Sequence, residues 1–127
     1  MKLYNLLKEI IVEEASRTEV EKAVINHELI KIYYEGDETE KPGWRDIEPY
    51  VVGLSPRENV ILRAYQYNGV TDTEQPGWKT FRLDRIRDWQ ELGRTFNRPI
   101  SDRIPNIPKY NPNGDRSMIT IYKQAKF

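Results

Sequence analysis

The chain has 127 residues, with 20 Lys/Arg against 20 Asp/Glu and a formal net charge of zero. That length suits one domain with its own core, and the neutral balance excludes a general attraction to nucleic acid or to an anionic membrane. There is no cysteine, which excludes disulfides, thiolate metal sites and cysteine nucleophiles.

Charge is uneven along the chain. Residues 1–50 hold 7 Lys/Arg and 12 Asp/Glu, a balance of −5, and residues 51–127 hold 13 and 8, a balance of +5. The asymmetry permits a basic face on a neutral protein, and it equally permits the halves to neutralise each other.

Leu3, Leu6, Leu7, Ile10, Ile11 and Ala15 follow the spacing of an amphipathic helix over residues 1–17, whose stripe either packs on the domain or pairs with another subunit. Charge interrupts this start too soon for a signal peptide, and nothing later is long and apolar enough to span a membrane, so a soluble, cytoplasmic protein is expected. Thr18-Glu19-Val20-Glu21 has the form of a capping box and predicts a second, short helix starting at Glu19, with Val20, Ala23 and Val24 inward and Asn26 as its stop. His27 is the only histidine. Without a second histidine or a cysteine it reads as a helix-end or surface residue, and neither metal nor cofactor is expected.

Beyond Glu28 the period changes to that of strands. Leu29–Tyr34 is the first and Trp44–Gly53 the second, where Pro49 requires an edge or a bulge. Val60–Tyr67 is the most apolar and is expected to be central. Trp78–Ile86 reads as a further strand with Lys79, Phe81, Leu83 and Arg85 on one face and Trp78, Thr80, Arg82, Asp84 and Ile86 on the other. Neither face is purely apolar, so some guanidinium groups lie beside apolar surface and need an anion or a carboxylate. The functional reading is an anionic ligand; the plain one pairs Arg82 and Arg85 with Asp84, Asp88 or a distant glutamate.

Glu40-Lys41-Pro42-Gly43-Trp44-Arg45 and Glu74-Gln75-Pro76-Gly77-Trp78-Lys79 echo each other. Two long hairpins would each deliver a tryptophan and then a cation, so Arg45 and Lys79 would converge if the hairpins are neighbours. Ile86, Trp89, Leu92 and Phe96 fit either a helix or a last barrel strand. Pro99, Pro105, Pro108 and Pro112 argue for an extended surface connection anchored by Ile100, Ile104, Ile107 and Tyr110. Ser117–Lys123 is a strand that closes its own sheet or adds to another chain's.

In order, Ala23-Val24, Leu29–Tyr34, Arg45-Asp46-Ile47-Glu48-Pro49, Val60–Tyr67 and Lys79–Ile86 with its Phe-Arg-Leu-Asp-Arg-Ile block resemble the WYL domain over roughly residues 18–97. The resemblance implies a small SH3- or Sm-like β-barrel, within a mainly β chain that has N-terminal helices and an extended C-terminal segment over 98–127. It also implies a ligand-sensing or nucleic-acid-binding module. The family's basic pocket, carried over by position, falls on Arg45, Arg82 and Arg85, with Lys79 where an arginine is usual. The eponymous Trp-Tyr-Leu falls on Val60-Ile61-Leu62, so the pocket tyrosine is missing, with Tyr65 or Tyr33 as its replacement. The helix-turn-helix usual beside the domain has no counterpart in residues 1–17.

Two functions follow. The first is a noncatalytic regulatory module that recognises a nucleotide or single-stranded nucleic acid, with guanidinium groups meeting phosphates and aromatic rings stacking on bases. The second is a structural or protein-interaction module that forms a homo-oligomer or binds a protein partner through its N-terminal helix and C-terminal strand. Catalysis is not expected, since no phosphate loop, nucleophile elbow or histidine metal motif is present.

Overall fold

The computed structural model describes residues 17–70 and 77–127. The apolar stripe expected over 3–15 and the second echo's Glu74 lie outside the described residues. Residues 17–26 are helical (α1) and bury Val20, Ala23 and Val24 completely. The expected start at Glu19 is corrected: Arg17 and Thr18 are already helical, and Glu21 pairs with Arg17 one turn back at 3.4 Å, as residues four apart on a helix do. His27 then takes a left-handed backbone, φ 55°, and stacks on Phe127 at 4.4 Å.

Six antiparallel strands follow: β1 (Glu28–Tyr34), β2 (Gly43–Leu54), β3 (Val60–Gly69), β4 (Gly77–Arg82), β5 (Ile86–Thr95) and β6 (Thr120–Gln124). The order is β4-β3-β2-β1-β5, with β6 also on β2. The centre is therefore β2, not the more apolar β3. One edge of β2 pairs with β1 through Ile47 and with β6 from Val51 onwards, while the other edge pairs with β3. Pro49, which has no N–H to donate, sits at the changeover, beside the expected bulge between Pro49 and Val51.

The strand read as continuous to Ile86 breaks at Arg82. The Arg82 amide donates to the Tyr34 hydroxyl at 2.9 Å, and Leu83–Arg85 form a single 3-10 turn. Residues 86–95, which fit two patterns in sequence, are strand and pair with β1. The two ends of the order, β4 and β5, are joined by that turn but by no ladder among the described residues, so the sheet is not closed.

The inner face buries Ile30, Ile32, Tyr34, Ile47, Leu62 and Phe81 completely. The C-terminal extension covers another part of the sheet. Its short helix α2 (Ile100–Arg103) hangs from Tyr50, whose hydroxyl accepts the Ile100 amide at 2.9 Å and donates to Glu48 at 2.7 Å. Ile100 is buried and Tyr110 half-buried as expected, but Ile104 is 47% exposed and anchors nothing. The last strand begins at Thr120 rather than Ser117, and it pairs within the chain.

Candidate functional site

Arg45 and Lys79 do converge, and what they meet is a carboxylate. Arg45 Nη1 lies 2.6 Å from Glu40 Oε1, and Lys79 Nζ lies 3.6 Å from Glu40 Oε2. All three are buried: Arg45 is 0%, Glu40 8% and Lys79 9% exposed. The register explains the meeting. Arg45 near the start of β2 and Lys79 near the start of β4 flank β3, whose Gln66 accepts a second bond from Arg45 Nη1 at 3.0 Å. Arg45 Nη2 donates to the Lys41 carbonyl, and the guanidinium lies 5.5 Å and 5.4 Å from the Tyr34 and Phe81 ring centroids. Its Nε has no partner among the described residues. A charge this far from water persists only because it is paired and hydrogen-bonded.

Arg82 and Arg85 lie nearer the surface, with side chains 31% and 37% exposed. Arg82 grips Asp84 with two nitrogens at 3.0 and 2.7 Å, the plain pairing foreseen from sequence. Arg85 Nη1 donates to the Gly36 carbonyl at 3.3 Å and lies 3.9 Å from Glu35, which also pairs with Arg87. The 35–42 loop is pinned beside them. The Glu35 amide donates to the Arg85 carbonyl at 2.8 Å, and the Tyr34 hydroxyl donates to Asp37 at 2.6 Å. Burial pushes the Tyr34 phenol well above its ordinary value, and the bond to Asp37 adds to this. Burial alone would raise Asp37, but bonds from Tyr34, Thr39 and the Glu40 amide outweigh it and hold the carboxyl below its ordinary value. Gly36 is required at the bend: its φ is +95°, and an added Cβ would stand 2.9 Å from Pro42 Cδ.

Between this loop and Arg85 opens a cleft of about 540 Å³, with Glu35, Asp37, Glu38 and Glu40 against Lys41 and Arg85 on its walls. The lining is acidic. Arg45, Lys79 and Arg85 are thus gathered around one loop while the Arg82 side chain turns to Asp84, and in this conformation each of the four has a carboxylate within 4 Å.

The two tyrosines lie elsewhere. Tyr33 alternates away from Tyr34 and packs edge-on against Trp44 at 5.3 Å. Tyr65 is buried against Trp78 at 5.6 Å, and burial, followed by the negative charge of Glu48, raises its phenol. Glu40, Gln66, Tyr34 and Asp37 were not among the residues singled out from sequence. Glu40 heads the first echo, and its carboxylate two residues before Pro-Gly was the available signal. Among the described residues no group of His, Asp and Glu could hold a metal ion, and no helix is long and apolar enough to cross a membrane.

The model of the WYL domain matches residues 16–91, which takes in α1, all of β1 to β4 and most of β5. The chain belongs to the WYL domain family. These are ligand-binding, regulatory modules, generally noncatalytic. The match ends before the C-terminal extension begins. No curated protein and no solved structure matches the chain.

Proposed function

We propose that this WYL domain is a noncatalytic sensor that takes a nucleotide or a short single-stranded nucleic acid at the cleft beside the 35–42 loop. The observation that carries the reading is the gathering of Arg45, Lys79 and Arg85 around that one loop, with Arg82 beside it through its backbone amide. Arg82 and Arg85 are the partly exposed cations and would meet phosphate, exchanging Asp84 and Glu35 for the ligand's charge. Arg45 and Lys79 are buried and would hold the loop's base through Glu40. Tyr33 and Tyr65 face other surroundings and would contribute no stacking at this cleft. The strand order, with its 3-10 link between the two end strands, supports an SH3- or Sm-like barrel left open on that side.

Fluorescent short single-stranded DNA, RNA and nucleotides, titrated at two salt concentrations, test this. Binding should weaken with salt and be lost in Arg82→Ala/Arg85→Ala. Binding that ignores salt, or survives in the variant, contradicts the reading.

The second reading, assembly with a copy or a protein partner, draws on Ile119 and Phe127, which are 62% and 50% exposed beside β6. It predicts a solution mass above that of one chain, and a monomer at high concentration argues against self-assembly.

A further inference from the structure

Between the sheet and the C-terminal extension, which lies outside the family-matched region, opens a second cavity of about 390 Å³. This volume is in the range of small-molecule sites. One wall is aromatic: the Trp78 and Tyr110 rings lie 18° from parallel with centroids 6.5 Å apart. The rim is cationic. Lys109 and Arg116 line the cavity, are exposed, and have no carboxylate partner among the described residues. Arg63 is the third cation, and Asp115, which pairs with it at 2.9 Å, is the one carboxylate among the described lining residues, which together carry a balance of +2.

The cavity is held in shape before any ligand arrives. Trp78 Nε1 donates to the Pro108 carbonyl at 3.1 Å, Tyr110 donates to the Ala125 carbonyl at 2.6 Å, and Gln124 donates to the Asn111 carbonyl at 2.7 Å. Arg63 also reaches Ser117 Oγ at 3.3 Å, and Asp115 accepts the Ser117 amide at 2.8 Å. The extension is therefore tied to the sheet on both sides of the opening, which lowers the ordering cost of binding. An aromatic wall beside exposed cations selects a ligand with both features, because a ring alone leaves the cations unused and an anion alone leaves the wall wet.

We propose that this cavity is a second ligand site, for a small planar aromatic molecule bearing one anionic group, either an aromatic carboxylate or a base-bearing monophosphate. The ring lies against Trp78 and Tyr110, and the anion meets Lys109 and Arg116. The site uses none of the cleft's cations, so it stands if the cleft binds nothing.

The Trp78 indole N–H is the reporter, followed by two-dimensional proton–nitrogen NMR and assigned with Trp78→Phe. The probes are 2-naphthoate and adenosine monophosphate, with inorganic phosphate as the ringless control. At least one aromatic anion should shift this signal saturably, phosphate should not, and Lys109→Glu/Arg116→Glu should weaken binding at least 10-fold while the spectrum elsewhere stays folded. Whichever of the two probes binds identifies the source of the anion. Arg57→Glu, an exposed cation in the β2–β3 turn, should bind as the wild type does. The proposal is overturned if neither probe shifts the signal, if phosphate alone shifts it as much, or if Arg57→Glu weakens binding as strongly as the double variant.

Discussion

Two clusters of cations in this molecule differ in who supplies the counter-charge. Around the 35–42 loop, Glu40, Asp84 and Glu35 come from the chain itself and reach every cation that the family resemblance marks. At the C-terminal cavity, Asp115 takes Arg63, while Lys109 and Arg116 have no partner among the described residues. Cations beside apolar surface therefore do not by themselves identify a site, since the same chemistry serves as internal glue in one place and is left open in the other.

The largest expected effect separates buried from exposed pairing. Glu40→Gln leaves Arg45 and Lys79 without their shared carboxylate, and its unfolding free energy in a denaturant titration should fall by about 3–5 kcal/mol, the cost of breaking a buried ion pair. Asp115→Asn, which strips only a partly exposed Arg63, should cost about 1.5–3 kcal/mol, in the range of a charged hydrogen bond. Equal losses would erase the distinction between the two regions.

Next is the backbone at the bend. Gly36→Ala must adopt a positive φ and push against Pro42, so it should destabilise by more than about 1 kcal/mol in the same titration. Gly114→Ala, also at positive φ but with open space around its Cβ, carries the backbone strain alone and should lose less.

Much of the fold could be read from runs of strand-forming residues. Leu29–Tyr34 and Trp44–Gly53 lie within a residue of their strands because β-branched and aromatic side chains run between turn-forming Gly and Pro positions. The break at Arg82 could not be read, because it depends on the Tyr34 hydroxyl taking the Arg82 amide across 48 residues of chain. The candidate site was half legible. The echo placed Arg45 and Lys79 together, but its glutamate reads as a polar loop residue until the loop is folded back over the sheet. Ile104 failed as an anchor because a proline-rich extension has no period that fixes which apolar side chains face inward.

Smaller effects come with pH. Asp37 and Asp115 both have folded pKa values below the ordinary 3.8. For Asp115, burial would raise the value but bonds from Arg63 and Ser117 outweigh it. A depressed carboxylate contributes stability that is complete above its unfolded pKa and is lost as pH falls through the folded value. Thermal stability should thus drop on acidification below about pH 4, and less steeply in Asp37→Asn/Asp115→Asn. At the alkaline end, burial pushes the Tyr110 phenol up to about 12. A raised phenol contributes stability below its unfolded value near 10 that is lost as pH rises toward 12. Tyr110→Phe should flatten that alkaline decline slightly, as read by circular dichroism.

A ligand at the cleft would have to compete, because the 35–42 loop's carboxylates occupy the cations it would take. Glu35 is exposed and pairs with Arg85 and Arg87, so Glu35→Gln frees the rim of the cleft without touching the core. Fluorescent nucleotide titrated into wild type and Glu35→Gln at low salt is the direct measurement. Tighter binding by the variant is the predicted result, and equal or weaker binding contradicts the claim that the loop and the ligand compete for the same guanidinium groups.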